Sequence, residues 1–321
     1  MRFFKLQSTE NDKFVIIPET EGTQIDAEKF RNLVIESVNG LSDELNLSEA
    51  GCYQEPQYTS ESDKVKEACD TMNKYLGVTV TYDFSTTTEV VNATQLSQWV
   101  KVDDDMNVVF DETAVKAYIQ SLADKYDTKG KQRTFTSASG NTVTVSGGSY
   151  GWKIDQSAEY NALIANIQSG ESVTREPNYS SRAASHEGND VGNTYAEVNL
   201  STQHMYFVKD GQIALETDVV TGNPNKGNST PAGVYSLAYK AKDQVLRGTK
   251  KADGTYEYET PVSYWMPFNG GIGFHDASWQ PTFGGSRYLT NGSHGCVNMP
   301  PAMAAQLFNL ISAGTPVVVH N

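Results

Sequence analysis

Apolar residues recur with helical spacing at three places in the first part of the chain. The spacing predicts three helices, over residues 62–76, 94–100 and 111–127. Four apolar side chains of the third helix fall on one face: Val115, Tyr118, Ile119 and Leu122. Thr94 and Asp111 stand where helix N-caps belong, because their side chains accept hydrogen bonds from first-turn N–H groups. We therefore predict amphipathic helices that pack on a core.

Extended segments lie between and after these helices. Alternating and β-branched residues predict strands at 78–84, 108–110, 133–136 and 142–145. The last two are joined through Ser139, Gly140 and Asn141, which have turn character. This region is therefore expected to be a mixed α+β domain.

A weak internal repeat spans the same region. The first copy runs through Gly22-Thr-Gln-Ile-Asp26, Leu33-Val34 and Glu55-Pro-Gln-Tyr58. The second copy runs through Gly151-Trp-Lys-Ile-Asp155, Leu163-Ile164 and Glu176-Pro-Asn-Tyr179. In each copy the Asp is placed to cap a helix, and the residue before Pro is held out of the α region. The repeat predicts a helix with its flanking strands, used twice.

From residue 194 onward the pattern changes to short extended segments separated by glycine turns. Strands are predicted at 195–200, 204–208, 213–220, 233–237, 256–258 and 315–319, with one helix at about 301–313. Residues 183–193 are small and polar, which is typical of a linker. We therefore predict an N-terminal domain over 1–182 and a mainly-β, sandwich-like domain with one helix over 194–321.

The charge of the chain argues against some partners. It has 25 Lys and Arg against 39 Asp and Glu, a net charge of −14. Nucleic acid or an anionic membrane surface is therefore not expected as the main partner. Residues 191–321 carry eight of the bases and nine of the acids, so most of the negative charge lies in the first 190 residues. This asymmetry supports two separate domains.

The sequence contains no segment that predicts a membrane anchor. No run approaches the ~18 apolar residues of a membrane span. Residues 1–5 lack the apolar stretch and cleavage site of a signal peptide. We expect a soluble chain, which could be the ectodomain portion of a longer protein.

The three cysteines have different surroundings. Cys52 and Cys69 could form a disulfide in an oxidising compartment. The helical pattern around Cys69 instead favours free, buried thiols. Cys296 is the single cysteine of the second domain, and it follows His294 by two residues.

Two glycine-rich segments carry the candidate chemistry, one ending at His275 and one containing Ser293-His-Gly-Cys296. An imidazolium beside a thiol lowers the thiol pKa from about 8.5 to about 3.5–7.5, which favours the nucleophilic thiolate. Gly295 lets backbone N–H groups approach a reacting carbonyl, as an oxyanion hole requires. If the Ser293–Val297 segment is strand-like, His294 and Cys296 point to the same face, although an irregular backbone at Gly295 would turn them apart. His275 comes from a separate segment and could approach Cys296 from across the site. The spacing leaves open which of them is the base.

These residues resemble the signature of the L,D-transpeptidases of bacterial cell-wall synthesis, the YkuD-type catalytic domain. That signature is a His followed later by Ser/Thr-His-Gly-Cys and then Arg or Asn. His275, Ser293 to Cys296 and Asn298 match it in order. The strands after Tyr195 and the segment Thr230-Pro-Ala-Gly-Val-Tyr235 resemble it too, so the likeness covers about 194–321. The repeat region resembles, more weakly, the peptidoglycan-binding domain that precedes this catalytic domain in some Gram-positive members.

The resemblance implies acyl transfer through Cys296. The thiolate attacks the carbonyl of the third residue of a donor tetrapeptide stem, and D-Ala leaves. The side-chain amine of a second stem then takes the acyl group, which forms a 3→3 cross-link. His275 is implied as base and acid, and Ser293 as the residue that positions it. Backbone N–H groups near Gly295, with His294, are implied as oxyanion donors.

The resemblance also implies surroundings and partners. Substrate-binding residues are expected at Asn298, Trp279 and Phe274. Residues 276–292 could be a mobile flap or an ordinary surface loop. Asp276, where many members have Gly, could orient the neighbouring imidazole or raise its pKa, but is expected to face solvent. We expect peptidoglycan stem peptides as substrates, carbapenems as covalent inhibitors, no cofactor or metal, and an extracytoplasmic location on the cell-wall side.

Other interpretations of the same residues stay open. Cys296 could be a buried structural thiol, or could bind zinc with His275 and His294, although no fourth ligand is evident. A papain-like enzyme is disfavoured because its Cys precedes its His. An L,D-carboxypeptidase would use the same residues with water, and a non-catalytic wall-binding protein would leave Cys296 unused. Thioester formation separates an enzyme from a binder, and dimer formation separates a transferase from a hydrolase.

Overall fold

The computed structural model of the chain describes residues 5–8, 13–19, 24–54 and 57–321. These divide into two compact units. The first consists of the described residues up to Ser121 together with Gln156–Pro177. The second, rich in β-structure, consists of Leu122–Asp155 and Asn178–Asn321.

This division differs from the domain limits that we predicted, 1–182 and 194–321. Residues 122–155 and the predicted linker, 183–193, both fall within the second unit. The reason is hydrophobic: Phe135, Val145 and Val191 are buried in one cluster with strands of that unit.

Helices and short strands alternate up to residue 181. The strands are β1 (Lys5–Ser8), β2 (Phe14–Ile17), β3 (Val80–Asp83), β4 (Thr88–Val91), β5 (Val100–Val102), β6 (Val108–Phe110), β7 (Arg133–Thr136), β8 (Thr142–Val145), β9 (Lys153–Ile154), β10 (Val173–Arg175) and β11 (Tyr179–Ser181). The helices are α1 (Ala27–Asn39), α2 (Asp63–Leu76), α3 (Ala93–Trp99), α4 (Glu112–Tyr126) and α5 (Gln156–Ser169). The three predicted helices are α2, α3 and α4, each within two residues of its expected ends.

A three-stranded sheet organises the first unit. Strand β3 lies in its centre, parallel to β10 and antiparallel to β4. Helix α5 packs on β3, where the fully buried Glu159 accepts a hydrogen bond of 2.7 Å from the Tyr82 hydroxyl. Arg175 pairs with the same carboxylate at 2.6 Å. Because a buried charge is tolerated only when it is paired, this trio joins the helix to two strands.

The helix caps follow side-chain chemistry, with one correction. Asp111 accepts the Ala114 N–H at 3.0 Å, as predicted. Helix α3 is capped by Asn92 and not by Thr94, because the Asn92 side chain accepts the Thr94 N–H at 3.0 Å. The Gln95 side chain accepts the Asn92 N–H in return, which completes a capping box.

The two copies of the predicted repeat agree at the start of the helix and differ in the strand that follows, because the paired residue precedes the Glu-Pro segment in the first copy and follows it in the second. In the first, Asp26 caps α1 and Ile25 pairs antiparallel with Tyr53. In the second, Ile154 precedes α5 and pairs antiparallel with Tyr179. Gly22 and Thr23, and the Glu55-Pro56 pair, lie outside the described residues.

Short strands dominate the rest of the chain. They are β12 (Tyr195–Asn199), β13 (His204–Lys209), β14 (Gln212–Asp218), β15 (Gly233–Ser236), β16 (Ala241–Arg247), β17 (Glu259–Asn269), β18 (Ile272–Asp276), β19 (Val297–Met299) and β20 (Pro316–His320). The predicted helix is α7 (Pro301–Leu310). A one-turn helix, α6 (Tyr288–Asn291), was not predicted.

Two sheets form the β-sandwich. One has the strand order β14-β13-β12-β20-β15 and the other has the order β16-β17-β18-β19. A single core contains side chains from both sheets and from α7, among them Phe207, Phe274 and Leu307. Strand β20 is buried along its whole length, because Val317 and Val319 face this core while Val318 faces the cluster with the β7–β8 hairpin.

The structure also tests the predictions for the cysteines, for membrane-spanning helices and for the strand at 256–258. All three cysteines are free and buried, so Cys52 and Cys69 do not form a disulfide. Among the described residues, none of the helices has the length and apolar character that crossing a membrane requires. The strand predicted at 256–258 is wrong, because these residues lie in the connection between β16 and β17, where Tyr256 forms only an isolated bridge with Lys250.

Candidate active site

A cavity of about 230 Å³ opens at one face of the second sheet. Its walls come from the β16–β17 hairpin, the end of β18, the loop before α6, and the segment leading into β19. The lining residues are Leu246, Tyr258, Thr260, His275, Trp279, Gln280, Asn291, Gly292, Ser293, His294, Cys296 and Asn298. The two predicted glycine-rich segments therefore meet at one cavity.

His275 lies on β18 and reaches this cavity from a central strand. It is 4% exposed. Its Nδ1 is 2.9 Å from the Asp276 carbonyl, and because a carbonyl only accepts, Nδ1 carries the proton. The other ring nitrogen, Nε2, is then an unprotonated acceptor. Burial lowers the pKa of His275, against a smaller opposing effect of Asp276. The ring is therefore neutral and has the form of a general base.

The strand that carries His275 needs a glycine close by. A Cβ on Gly273 would lie 2.6 Å from the Met266 carbonyl oxygen of β17. Only glycine lets the two strands approach this closely, which brings His275 opposite Trp265 in the ladder.

Cys296 follows Gly295, whose φ of +120° lies in a region that favours glycine. The thiol donates a hydrogen bond to the Gly271 carbonyl at 3.5 Å and is 9% exposed. Burial raises the pKa of Cys296 to about 11, although the Gly273 N–H acts in the opposite direction. We expected a thiolate held by an imidazolium; in this structure burial favours the neutral thiol beside a neutral ring.

The turn before Cys296 is held by its own hydroxyl groups. The Ser293 hydroxyl donates to the Cys296 carbonyl at 2.6 Å and accepts the Gly295 N–H at 3.0 Å. The Thr230 hydroxyl donates to the Gly295 carbonyl at 2.7 Å. Ser293 thus braces this turn instead of positioning His275. The Gly295 N–H, implied as an oxyanion donor, is already engaged.

His294 faces the β16–β17 hairpin. Its ring stacks on Tyr258 with centroids 4.6 Å apart. Nothing in the local sequence marked Tyr258, Leu246 or Thr260 as site residues. They enter the cavity through the pairing of β16 with β17, and such long-range pairing leaves no local motif.

Of the three predicted substrate-binding residues, two line the cavity and one does not. Trp279 lines the cavity and is 48% exposed. Asn298 lines it too, pairs through its backbone with Val220, and has an Oδ1 without a hydrogen-bond partner among the described residues. Phe274 is a correction: it is fully buried in the sandwich core against Phe268. Neighbours on a strand point to opposite faces, so Phe274 points away from the cavity that His275 faces.

Asp276 is a second correction, because it does not face solvent. Its side chain is 7% exposed, and its Oδ1 accepts the Tyr264 N–H of β17 at 2.8 Å. The strand ends here, but β17 and β19 still flank the residue.

The loop after Asp276 is held by side-chain hydrogen bonds. Gln280 donates to the Asn291 carbonyl at 2.8 Å and accepts from Arg287 at 2.7 Å. Both Gln280 and Asn291 line the cavity, so this loop forms one of its walls.

The zinc alternative finds no support in the geometry. In the part of the chain that the structure describes, no three His, Cys, Asp or Glu side chains are placed to hold a metal ion.

A buried cysteine and a buried histidine thus line one cavity of the two-sheet β-domain. A family model for the YkuD L,D-transpeptidase catalytic domain matches residues 193–319. A second model, described as "Putative peptidoglycan binding domain", matches residues 58–175.

Solved structures extend the likeness across both units. The chain is 38% identical to a Cys-to-Ser mutant of Enterococcus faecium L,D-transpeptidase, over 79% of this chain and 100% of that chain, with a TM-score of 0.65. It is also 38% identical to the Ldtfm–avibactam carbamoyl enzyme, over 80% of this chain and 98% of that one, with a TM-score of 0.66. The chain belongs to the L,D-transpeptidase family.

A more distant relative is L,D-transpeptidase 1 of Mycobacterium tuberculosis, which is 26% identical over 143 residues. The match covers 41% of this chain and 53% of that protein, so the chain spans about half the length of this relative.

Proposed function

We propose that this chain is a peptidoglycan L,D-transpeptidase that forms 3→3 cross-links through a thioester on Cys296. The observation that carries the proposal is the shared cavity, which both Cys296 and His275 line, together with the His275 tautomer that leaves Nε2 unprotonated. Family membership supports the reaction class. The geometry supports the assignment of these two residues to it.

The first half-reaction acylates Cys296. With a thiol and a neutral imidazole in the resting site, His275 takes the thiol proton as Sγ attacks the carbonyl of the third stem residue. The developing oxyanion is held by the Cys296 N–H, because the Gly295 N–H is already bonded to Ser293. The C–N bond to D-Ala then breaks, and His275 returns the proton to the leaving amine. A thioester and free D-Ala result.

The second half-reaction transfers the acyl group. The side-chain amine of a second stem attacks the thioester, and His275 removes its proton. The C–S bond breaks, Cys296 recovers a proton, and an amide joins the two third residues. Water in place of the amine would give an L,D-carboxypeptidase, so the distinction depends on how well the cavity admits the amine.

The cavity supplies contacts for the stems. Trp279 presents its exposed ring at the rim, and the Asn298 Oδ1 is available as an acceptor. Tyr258 lines the wall beside His294, and burial, with a smaller effect of Cys296, raises the pKa of its hydroxyl. These residues are assigned to substrate positioning.

The first unit is assigned to the cell wall. The peptidoglycan-binding model covers residues 58–175, which fits a protein that acts on the wall outside the cytoplasm. The carbamoyl enzyme that avibactam forms with an enterococcal-type relative supports covalent inhibition at Cys296 by related acylating drugs, carbapenems included.

Mass spectrometry of the products from a disaccharide-tetrapeptide tests the proposal. We expect the wild type to release D-Ala and form a cross-linked dimer, and Cys296→Ala to do neither. Cys69→Ala, which removes another buried free thiol, is the matched control and should retain the reaction. Dimer formation by Cys296→Ala would refute the assignment of the nucleophile. Monomeric tripeptide as the sole wild-type product would identify a carboxypeptidase instead.

A further inference from the structure

The cavity that contains Cys296 is lined by uncharged side chains, whereas the donor proposed for it is an anion. In the part of the chain that the structure describes, no Lys, Arg, Asp or Glu is among the lining residues. A tetrapeptide stem ends in the carboxylate of its D-Ala, the residue next to the scissile bond. This carboxylate therefore lies in or at the edge of the cavity when the scissile carbonyl meets Cys296, and an anion taken out of water requires a partner.

Arg287 is the single cation of the loop 277–292, which forms one wall of the cavity. From residue 260 to the end of the chain, the other charged side chain is Asp276. The Asp276 carboxylate is bound to the Tyr264 N–H of β17. Arg287 immediately precedes α6 and is half-buried. It is therefore the candidate for a cation that acts at this wall.

Hydrogen bonds fix Arg287 against the wall at both its side chain and its backbone. Its Nε donates to the Gln280 Oε1 at 2.7 Å, and its carbonyl accepts the Asn291 N–H at 2.9 Å. Gln280 and Asn291 both line the cavity, and the Gln280 side chain donates to the Asn291 carbonyl at 2.8 Å. The guanidinium is thus one hydrogen bond away from a lining residue.

The rest of the guanidinium has no partner. Its Nη1 and Nη2 form neither a hydrogen bond nor an ion pair with any residue that the structure describes. The nearest acid to this loop is at Gly284, where an added Cβ would lie 3.0 Å from the Asp218 carboxylate. Asp218 is paired instead with His204 at 2.7 Å. A guanidinium whose Nε is engaged still presents two nitrogens that match the two oxygens of a carboxylate.

We propose that Arg287 binds the C-terminal carboxylate of the donor stem and selects donors that end in a free D-Ala carboxylate. This inference rests on the proposed function and deepens it, since it names the feature of the donor that the site recognises. No bond to the carboxylate forms or breaks. The carboxylate departs with D-Ala when the C–N bond to the third residue is cleaved.

Two donors that differ at one group test the proposal. They are a disaccharide-tetrapeptide with a free carboxylate on D-Ala and the same compound with a carboxamide there. Mass spectrometry of released D-Ala or D-alaninamide gives kcat/KM for each. We expect wild type to prefer the acid about 10- to 100-fold, as a charged hydrogen-bonded pair implies. Arg287→Gln should use both donors at about the wild-type rate for the amide. Arg287→Lys should keep part of the preference, because it keeps the charge without the fork.

Arg247→Gln is the matched control. Arg247 follows Leu246, which lines the same cavity, but its guanidinium is already paired with Glu259 at 2.8 Å. This variant should keep the full preference for the acid. If Arg287→Gln slows both donors equally and keeps the preference, Arg287 only supports the loop and the proposal is wrong. A wild type that uses both donors equally would also refute it.

A second pair of donors, with every other carboxylate of the stem amidated, shows which carboxylate is bound. The effect of Arg287→Gln should be the same in this pair, and its disappearance would assign Arg287 to another carboxylate, against the proposal. Binding of both donors to Cys296→Ala gives a readout without turnover, in which the acid should bind more tightly only when Arg287 is present. Failure of wild type to release D-Ala from any donor would instead overturn the proposed function. Thermal unfolding shows whether each variant is folded.

Discussion

Two buried histidines of the β-rich unit, each close to a carboxylate, have opposite electrostatic surroundings. His275 has one acceptor at its ring, the Asp276 carbonyl, and the residue lines a cavity. His320, on β20, has an acceptor at each nitrogen. Nδ1 lies 2.9 Å from the Asn321 carbonyl, and Nε2 lies 3.0 Å from Glu197 Oε1. The first ring is poised to take a proton, and the second already holds two.

The pKa values follow from this difference. Burial lowers the pKa of His275, and the nearby charge of Asp276 only partly opposes it. At His320 burial also disfavours the charge, but the bond and charge of Glu197 and the bond to the Asn321 carbonyl together outweigh it, and the pKa is raised. Desolvation therefore sets the direction of the pKa shift at His275, where no charged group binds the ring directly. At His320 a carboxylate binds the ring, and the shift has the opposite direction.

The carboxylates differ in the same way. Glu197 is fully buried and its second oxygen accepts the Ala138 N–H at 2.7 Å, so the pair joins β12 and β20 to the β7–β8 hairpin. We assign this pair to stability. The comparison teaches that a buried histidine is a candidate for catalysis when one of its nitrogens faces open space.

Replacing the two histidines should produce opposite phenotypes, and the largest effect is on activity. His275→Gln should reduce acylation by a carbapenem about 10²–10⁴-fold, because a general base is lost. Its thermal midpoint should stay near that of wild type. Stopped-flow acylation and thermal unfolding check both statements. If His275→Gln is acylated at the wild-type rate, His275 is not the general base.

His320→Gln should affect stability instead. It removes a charged partner from buried Glu197, which costs about 1–3 kcal/mol of unfolding free energy. Acylation of Cys296 at a temperature where the protein is folded should be unchanged. His204→Gln, at a more exposed His–Asp pair, is the control and should cost less. Equal thermal midpoints for the His320 and His204 variants would contradict the assignment.

The pH dependence of stability should have opposite signs at the two sites. The folded-state pKa of His320 is raised, so its stabilisation is complete below about pH 6.5, the unfolded value, and is lost as pH rises through the folded pKa. The folded-state pKa of His275 is lowered, so a penalty appears as pH falls below about 6.5.

Thermal midpoints of wild type and both variants across this range provide the measurement. The advantage of wild type over His320→Gln should be largest in acid and shrink in alkali. The thermal midpoint of wild type should fall relative to that of His275→Gln as the solution is acidified. If the thermal midpoint of wild type exceeds that of His320→Gln by more at high pH than at low pH, the derived pH dependence is wrong.

The smallest expected effect concerns a third ring, His294, which is held by stacking instead of by a carboxylate. Tyr258→Leu removes that stacking, worth about 0.5–1.5 kcal/mol for an aromatic pair. We expect the free energy of unfolding to fall by no more than this amount, and the KM for the tetrapeptide to rise about 2- to 10-fold because Tyr258 lines the cavity. Tyr239→Leu, at an exposed tyrosine outside the cavity, is the control. Equal KM values for the two variants would remove Tyr258 from substrate positioning.

Several features were predictable because they depend on neighbours in the chain. Helices α2 and α4 follow apolar spacing, and the cavity residues His275 and Cys296 follow a motif of adjacent residues. The error at Phe274 was avoidable, since strand alternation already places it opposite to His275. The cap of α3 was missed by two residues because Asn92 and Thr94 are both good capping types.

What the sequence by itself determined is therefore the longer helices, the five strands of the sheet β14-β13-β12-β20-β15, the Cys–His motif and the family resemblance, all of which are local patterns. The four strands of the second sheet, β16 to β19, were not predicted. The tertiary structure alone decided that Asp276 is buried, that Tyr258 reaches the cavity and that residues 122–155 join the β-rich unit. It also decided the protonation of the site, with a thiol pKa of about 11 in place of a thiolate. These outcomes depend on strand pairing and on desolvation, which arise between residues distant in the chain and leave no trace in the order of amino acids.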